Sequence, residues 1–394
     1  MSVALFDLGQ RLHAATLGKP MLRSAYAPVL PPVDPVAVVV TGSGDHILVR
    51  ASNRSRQTTA SGPGALQALA DLGISTEAEP RTLVVADRDA LSRLLELALA
   101  SGPAASNLDS AAAPVVGWWA MRADHPGTGA VLNITSACSA RWALGVPPAS
   151  ERDLETWRAW LGVTDRGPQS LLQMAELVSA GTTLPGLDVF AEDDRQSWEA
   201  FVARLHDPKA PWDWRRRDSR REAALGLATR CDAAELWGSL RLGDPLVAWR
   251  EAFAGTVVTG TVTALPSRTS LEMDLDGLAC RLRDGSTVEG FSGFPRDLPP
   301  ACTGGALLRG LVAATRVNAA ERLVISLSDA IMRNVGLGQR LTLRPRSVDP
   351  RQQRSGRHEL HRRYASRRSW LSGGPPPVPR RRDVPLDVVV AAAE

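Results

Sequence analysis

The residues of this chain that are best suited to chemistry are arginines crowded near its C-terminus. Residues 340–382 contain thirteen arginines and only two acidic residues, a local net charge of +11. The whole chain of 394 residues carries a net charge of only +4, and residues 1–339 sum to −4. Such a local excess attracts polyanions or acidic surfaces through its own field rather than through the overall charge of the protein. The pattern therefore predicts a polyanionic partner.

The C-terminal segment 346–394 mixes these arginines with proline, glutamine and serine. It holds too little apolar surface to form a core, so its predicted state is disordered. Two aromatic residues lie among the arginines, and this mixture suits contact with phosphates together with stacking on bases. A solvated tail that only raises solubility is the alternative interpretation. The candidate nucleic-acid-binding residues of the segment are Arg362, Arg363, Tyr364, Arg367, Arg368 and Trp370.

A second candidate site consists of two aspartates that follow an apolar run. Asp87 and Asp89 come directly after the predicted strand 81–86 and before a predicted helix. A hairpin, a helix and then a strand that ends in aspartate resemble RNase H-like nucleases, whose carboxylates hold two metal ions. The carboxylate that this resemblance requires on the first strand is absent, because Thr41 stands there. The alternative is that one of the aspartates caps the following helix. The sequence offers no other candidate catalytic residue.

Motifs that hold nucleotides, metals or disulfides are not recognisable in the sequence. The chain lacks the glycine-rich G-x-x-x-x-G-K-[ST] and G-x-G-x-x-G loops that cradle phosphates. Its four cysteines lie far apart without a C-x-x-C pair, which is typical of reduced thiols rather than of zinc sites or disulfides. The apolar runs are all shorter than the roughly eighteen residues needed to span a membrane. We therefore expect no cofactor, no metal, no membrane partner and a cytoplasmic location.

The elements that position these candidates predict a multidomain α+β chain. Residues 1–149 alternate β-branched runs with amphipathic stretches, and a hairpin is predicted from strands at 115–121 and 130–135. In the helical region that follows, Asp194 is a predicted N-cap, and tryptophans such as Trp157 indicate helix packing rather than base stacking. The four predicted parts are an N-terminal α/β domain (1–149), a Trp-rich helical domain (150–253), a small OB-like β-barrel (254–345) and the disordered basic tail (346–394).

The barrel is predicted from alternation of apolar and polar residues with a period of two. Five short strands with Gly-, Asp- or Asn-rich joins are typical of a small closed antiparallel barrel. One of these strands is predicted at 278–282, and residues 339–343 could add a sixth. The side chains predicted to be buried in the barrel are Val258, Val262, Met273, Leu275, Leu282, Val312 and Ile325.

Residues 254–329 resemble the S1-type OB-fold, a five-stranded barrel that binds nucleic acid. The resemblance is carried by residues 255–262, by residues 275–278, and by residues 311–313 followed by residues 321–328. The last of these segments ends in Ser-Leu-Ser after a charged turn, as the final hairpin of the family does. The resemblance implies that the barrel contacts single-stranded or structured RNA or DNA.

The chain departs from that family at the positions of its stacking aromatic residues. The corresponding places hold Glu272 and Cys280, so the usual stacking platform is not evident. Phe291 and Phe294, in a glycine-rich loop, are candidates to replace it, with a role in the core as the alternative. The candidate nucleic-acid-binding residues of the barrel are Arg281, Arg283, Phe291, Phe294 and Arg316.

These observations favour non-catalytic binding of nucleic acid, with the barrel positioning the strand and the tail adding phosphate contacts. A nucleic-acid-processing enzyme with its site in the N-terminal domain is the first alternative. A protein-interaction scaffold whose basic tail docks on an acidic partner is the second. A protein partner for the helical domain is also compatible with the sequence. The choice between RNA and DNA stays open.

Overall fold

The computed structural model describes residues 2–42, 46–74, 79–100, 108–205, 207, 213–299, 305–346 and 349–365. The chain divides into two compact units. The first unit contains Met1–Arg215 and Ala233–Val348, and the second contains Arg216–Asp232 and Asp349–Glu394. Helices, open sheets and a barrel occur together, which confirms the predicted α+β class. The four-part division of the chain stays a prediction.

The N-terminal part of the first unit is built on a mixed five-stranded sheet. Its strands, with a separate pair, are β1 (Met21–Leu22), β2 (Val36–Thr41), β3 (Leu48–Ser52), β4 (Gln57–Ser61), β5 (Leu83–Val85), β6 (Val131–Asn133) and β7 (Trp142–Ala143). The sheet order is β4–β3–β2–β5–β6, and β1 pairs with β7. Strand β3 is antiparallel to both neighbours, whereas β2, β5 and β6 run parallel. The parallel centre is buried, which explains its continuous apolar runs.

The helices of this part are α1 (Val3–Leu17), α2 (Gln67–Ala70), α3 (Arg88–Ala100), α4 (Leu108–Ala123) and α5 (Ile134–Arg141). The predicted strand at 115–121 is wrong, because these residues lie inside α4. A run that is apolar on every side has no periodicity that distinguishes a buried strand from a buried helix. Val116, Trp118 and Trp119 are all buried in the core against the sheet. Residues 124–130 form the connection from α4 to β6.

The predicted helical region continues with α6 (Leu154–Leu161), α7 (Pro168–Ser179), α8 (Asp188–Leu205), α9 (Arg220–Arg241) and α10 (Pro245–Ala254). Trp157 is fully buried and donates its indole N–H to the carbonyl of Glu151 at 2.7 Å. The interpretation of Trp157 as a packing residue is therefore confirmed. Within the described residues, no helix combines the length and the apolar character needed to cross a membrane.

The predicted role of Asp194 as an N-cap is wrong, because α8 begins six residues earlier and Asp194 is buried within it. Its carboxylate accepts hydrogen bonds from Arg122 Nε at 2.7 Å, Thr128 Oγ1 at 2.8 Å and Gly129 N at 2.7 Å. It thereby ties α8 to the end of α4 and to the segment that enters β6. Sequence alone cannot distinguish an aspartate that caps a helix from one that forms an ion pair with an arginine far away in the chain.

The barrel consists of β8 (Val258–Ser267), β9 (Ser270–Leu275), β10 (Thr287–Ser292), β11 (Leu308–Val317), β12 (Leu323–Met332) and β13 (Arg340–Pro345). The order β10–β11–β12–β9–β8–β13 closes because β13 also pairs with β10. All pairs are antiparallel, and a closed six-stranded antiparallel barrel is compatible with an OB-like barrel. The seven side chains predicted to be buried are all buried.

The predicted strand at 278–282 is wrong, since these residues form part of the loop between β9 and β10. Both edges of β9 are already paired, with β8 and with β12, and β10 lies between β11 and β13. No strand edge is therefore left for this segment. Leu282 still packs into the barrel core, which is why the alternation of apolar and polar residues in segment 278–282 resembles that of a strand.

The prediction of disorder is wrong for the first part of the tail, because Pro350–Ala365 forms α11. The residues after proline are mostly Arg, Gln, Glu, His and Leu, several of which favour helix, and no further proline interrupts them before residue 365. The carboxylate of Asp349 accepts a hydrogen bond from Arg351 N at 2.8 Å, at the start of the helix. Residues 366–394 lie outside the described residues.

We expect Trp157→Ala to lower the free energy of unfolding by about 3–5 kcal/mol, the usual cost of emptying a large aromatic site in a core. Urea denaturation followed by circular dichroism measures this change. Trp249→Ala serves as the control, because it removes an equally large ring from a position that is 43% exposed. Equal costs for the two substitutions would contradict the packing role of Trp157.

We expect the stability of the protein to fall as the pH drops from about 6.5 to about 4. Burial and the neighbouring Arg122 lower the pKa of His125 from 6.5 to about 4, despite the opposing carboxylates of Asp193 and Asp194. Within this pH range the unfolded chain binds a proton that the folded chain does not, so acid favours unfolding. At roughly 1.4 kcal/mol per pKa unit, the loss is about 3 kcal/mol at most.

The contribution of His125 is the difference between the unfolding free energies of the wild type and His125→Asn, measured from pH 4 to pH 7.5. This difference should change with pH, because the variant lacks the imidazole. A difference that is constant over the range would contradict the lowered pKa.

Candidate nucleic-acid interface

A cavity of about 780 Å³ lies where α10 meets the β-barrel. Its walls come from α10, the start of β8, the loop after β9, the turn after β10 and the start of β13. The side chains that give it chemical character are Trp249, Phe253, Asp276, Leu278, Phe294 and Arg340. We call this site the aromatic pocket.

Large apolar side chains remain open to solvent in the aromatic pocket. Trp249 is 43% exposed, Phe294 is 44% exposed and Leu278 is 77% exposed. Burial of such side chains is the normal outcome of folding, and a cluster of exposed ones commonly marks a binding site. Exposed aromatic rings in particular offer a face on which a flat ligand can stack.

The indole of Trp249 is positioned by contacts between α1 and α10. The ring of Phe6 meets it edge-to-face at 5.2 Å between centroids and lies 5.1 Å from the ring of Phe253. The carboxylate of Asp7 accepts two hydrogen bonds of 2.9 Å from the guanidinium of Arg250. This two-point contact fixes α1 against α10 and leaves part of the indole facing the pocket.

The start of α10 is fixed by the buried carboxylate of Asp244. One of its oxygens caps the helix by accepting from Leu246 N at 2.9 Å. Its other oxygen accepts from Ser24 Oγ at 2.7 Å and Tyr26 N at 2.8 Å. One aspartate therefore caps the start of α10 and attaches the helix to the N-terminal part of the chain.

The ring of Phe294 is held by the turn that follows β10. Gly293 adopts a φ of +93°, a conformation that favours glycine, and its carbonyl accepts from Thr342 Oγ1 on β13 at 2.7 Å. The guanidinium of Arg340, also on β13, lies over the Phe294 ring at 4.5 Å, and Arg296 lies 5.9 Å from the same ring. These cation–π contacts place positive charge beside an exposed aromatic face.

The opposite wall of the pocket depends on a close backbone approach. Gly255 ends α10 with a φ of +78°, and a Cβ there would lie 2.7 Å from the carbonyl carbon of Ala279. Only glycine therefore allows the segment with Leu278 to pass the end of the helix. The N–H of Asp276 donates to the carbonyl of Thr259 at 2.9 Å, and the carboxylate of Asp276 pairs with Arg340.

A buried ion pair attaches the barrel to the segment that precedes α10. Arg344 and Glu289, on paired positions of β13 and β10, bind each other at 2.8 Å with almost no exposure. Arg344 also donates to the carbonyls of Leu242 at 3.2 Å and Pro299 at 3.1 Å. Its guanidinium lies 4.5 Å from the ring of Phe291, which is itself buried. The barrel is thus fastened to the residues that lead into α10.

The predicted barrel residues fall into four groups. Phe294 lines the aromatic pocket, whereas Phe291 is buried in the core and offers no free face. Arg281 and Arg283 are exposed on the loop between β9 and β10. Arg316 pairs with Glu272 at 2.7 Å, so the position that is aromatic in S1-type domains forms an ion pair here.

The predicted tail residues lie in or beyond α11, in the second unit. The exposed side chains of Arg351, His358 and Arg362 follow one another at helical spacing along α11. Arg362 pairs with Glu359, and Gln353 donates to the carbonyl of Asp232 in α9 at 3.0 Å. Arg363 and Tyr364 belong to the same helix. The remaining predicted tail residues, Arg367, Arg368 and Trp370, lie outside the described residues.

The aspartates predicted as catalytic candidates cap a helix or face solvent. Asp87 accepts a hydrogen bond from Ala90 N at 2.8 Å and so caps α3, while Asp89 is exposed in the first turn. Both line a polar groove of about 560 Å³ beside the carboxyl ends of β5 and β6, together with Glu151. Glu151 is already paired with Arg11 at 2.7 Å. Within the described residues, no group of three or more His, Cys, Asp and Glu side chains is arranged to hold a metal ion.

Sequence reasoning missed most of the aromatic pocket. Trp249 belongs to the Trp-rich region interpreted as packing, Arg340 counts only as the first arginine of the basic run 340–382, and Asp276 appears only within residues 275–278 of the S1-type resemblance. These residues lie 27 to 91 positions apart, and the pairing of β8 with β9 and with β13 is what brings Asp276 and Arg340 together. The one local signal was the spacing of Trp249 and Phe253, which places two rings on one side of α10.

No protein-family model matches this chain, and neither a curated protein nor a solved structure matches it.

We expect Arg344→Met to lower the free energy of unfolding by about 3–5 kcal/mol, because Glu289 would be left as a buried charge without its partner. The double variant Arg344→Met/Glu289→Leu removes both charges and should recover much of this loss. Urea denaturation of the three proteins measures the effect. A single variant that is as stable as the double variant would contradict the role of the ion pair.

Proposed function

We propose that this protein binds single-stranded nucleic acid without catalysing a reaction, and that the aromatic pocket of the barrel holds an unstacked base. The observation that carries the proposal is the pair of partly exposed rings, Trp249 and Phe294, beside the guanidinium of Arg340. Aromatic faces bind any base through its π-face, and arginine adds contact with a base or a phosphate.

Stacking supplies the affinity in this proposal. A base stacked on an aromatic side chain contributes about 1–3 kcal/mol, as judged by substitution with alanine. Two such rings in one pocket could therefore change affinity by more than 100-fold. A base inside a duplex has both faces covered, so the pocket favours strands whose bases are free.

Charge supplies the second part of the proposed interaction. The arginines of α11 and of the residues beyond it are suited to neutralise phosphates. Each neutralised phosphate releases counterions, which makes the logarithm of the affinity fall by about 0.7 per logarithmic unit of salt for single strands. The helical state of α11 favours this role, because part of the basic segment is ordered before the nucleic acid arrives.

The S1-type resemblance gives further support to the proposal. The closed barrel is compatible with an OB-like fold, and OB-like barrels commonly bind single strands. The stacking residues would differ from those of the family. In this chain the rings would come from α10 and from the turn after β10, while Glu272 occupies the usual aromatic position. A cytoplasmic location remains part of the proposal.

The proposal is favoured over the two alternatives by specific observations. A metal-dependent nuclease would need carboxylates that are free to hold a metal ion, whereas Asp87 caps α3 and Glu151 is paired with Arg11. A basic segment that docks on an acidic protein would explain the arginines but not the two exposed rings of the aromatic pocket.

We expect the double variant Trp249→Ala/Phe294→Ala to bind a single-stranded 20-nucleotide oligomer at least 10-fold more weakly than the wild type, because two stacking faces are lost. Fluorescence anisotropy at 100 mM salt measures the affinity. Ile331→Ala is the control, since Ile331 is an exposed apolar residue of the barrel outside the pocket. Equal affinity of the wild type and the double variant, with a folded protein, would contradict the proposed function.

We expect deletion of residues 349–394 to flatten the salt dependence of binding. If about four to six arginines contact phosphates of a single strand, the slope of the logarithm of affinity against the logarithm of salt concentration should become less steep by about 3 to 4. The Trp249→Ala/Phe294→Ala variant should instead weaken binding with an unchanged slope, because stacking releases no counterions. Titrations at four salt concentrations distinguish the two effects. An unchanged slope after the deletion would assign the arginines a role in solubility only.

A further inference from the structure

We infer that the aromatic pocket selects guanine over the other bases through the carboxylate of Asp276. This inference rests on the proposed function and adds a base preference to it. It follows from a charged acceptor that lines the same cavity as the stacking rings. A pocket built only for sequence-independent stacking has no need of an acidic residue, which repels the phosphates of any strand.

The carboxylate of Asp276 is placed to meet the edge of a base. Its backbone N–H is fixed to Thr259 O at 2.9 Å, and one carboxylate oxygen, Oδ2, is bound by Arg340. The other oxygen, Oδ1, accepts no hydrogen bond from the described residues. The side chain is 44% exposed, so a ligand can approach it.

Arg340 links this carboxylate to the stacking face. The same guanidinium pairs with Asp276 and lies 4.5 Å from the ring of Phe294. In the proposed complex, a base that stacks next to this guanidinium would meet an arginine donor and a carboxylate acceptor side by side. The Nε of Arg340 is buried and lacks a hydrogen-bond partner within the described residues. The terminal nitrogens are therefore the donors available to a ligand.

Guanine is the base whose edge matches this pair. Its Watson–Crick edge presents an oxygen acceptor, O6, followed by two adjacent donors, N1–H and N2–H. A carboxylate only accepts hydrogen bonds, so it can satisfy both donors, while arginine can donate to the oxygen. The charged acceptor also makes each of these hydrogen bonds stronger than a neutral one.

The other bases place an acceptor against the carboxylate. Uracil and thymine have one N–H between two oxygens, so one oxygen would face the negative charge. Adenine and cytosine have an amino group next to an unprotonated ring nitrogen, which cannot donate. Each mismatch leaves a polar group of the base or of Asp276 unpaired, and this is costly in a partly desolvated pocket. The expected order is guanine first, uracil next, and adenine and cytosine last.

The test is fluorescence anisotropy with single-stranded 12-nucleotide cytidine oligomers that differ only at one central position. This position holds guanine, adenine, uracil, cytosine or hypoxanthine, and a single guanine avoids the four-stranded structures of guanine runs. We expect the guanine oligomer to bind about 10-fold more tightly than the all-cytosine oligomer, within the range typical of a two-point base contact. Hypoxanthine, which lacks the 2-amino group of guanine, should lose a large part of that advantage.

The variant that isolates the carboxylate is Asp276→Asn, which keeps the size of the side chain and removes its charge. We expect it to bind guanine and cytosine oligomers within about twofold of each other. Asp274→Asn is the matched control, because Asp274 lies on β9, pairs with Arg322 and does not line the pocket. It should keep the preference for guanine. Thermal unfolding of both variants verifies that they remain folded.

The outcomes separate this inference from the proposed function. Equal affinity of the wild type for all five oligomers, with weaker binding by the Trp249→Ala/Phe294→Ala variant, would overturn the guanine preference and leave single-strand binding intact. A guanine preference that survives in Asp276→Asn would also overturn the role of the carboxylate. The absence of binding to every oligomer would overturn both proposals.

Discussion

The buried ion pair between Arg344 and Glu289 is the constraint on which the functional part of the structure depends. Removal of two charges from water costs several kcal/mol, and the pair is tolerated only because its geometry and additional hydrogen bonds compensate for that cost. The carbonyls of Leu242 and Pro299 supply these bonds, and both lie outside the strands of the barrel. The pair therefore fixes how the barrel lies against the residues that lead into α10. A purely apolar contact could slide, whereas these bonds specify one position.

The aromatic pocket exists because that position is fixed. One of its walls is α10 and the others belong to the barrel, so a shift between them would change the spacing of Trp249 and Phe294 across the pocket. The helix is held at its other side by Asp244 and by the pairing of Asp7 with Arg250. Polar contacts in the interior thus position apolar rings at the surface. The stability of these contacts keeps the rings exposed, although exposure of apolar rings to water is unfavourable.

The sequence predicted those features that depend on one segment and its own periodicity. Alternation in β9 identified Met273 as buried, because each strand has one face in the core. The apolar run at 115–121 was misassigned, since a helical segment without polar residues has no polar face to reveal its period. The candidate site was predicted only in part. Phe294 was recognised from its glycine-rich loop, but Trp249 and Asp276 join it through tertiary contacts that no local pattern encodes.

The central claim is that a base of a single strand occupies the aromatic pocket, and photocrosslinking tests it most directly. A single-stranded oligomer that carries 6-thioguanine or 4-thiouracil at one position is irradiated in complex with the full-length protein, and the attached peptides are identified by mass spectrometry. Crosslinks to Trp249, Phe294 or their immediate neighbours are the predicted result. Crosslinks confined to the arginine-rich C-terminal segment, or to the N-terminal sheet, would contradict the account.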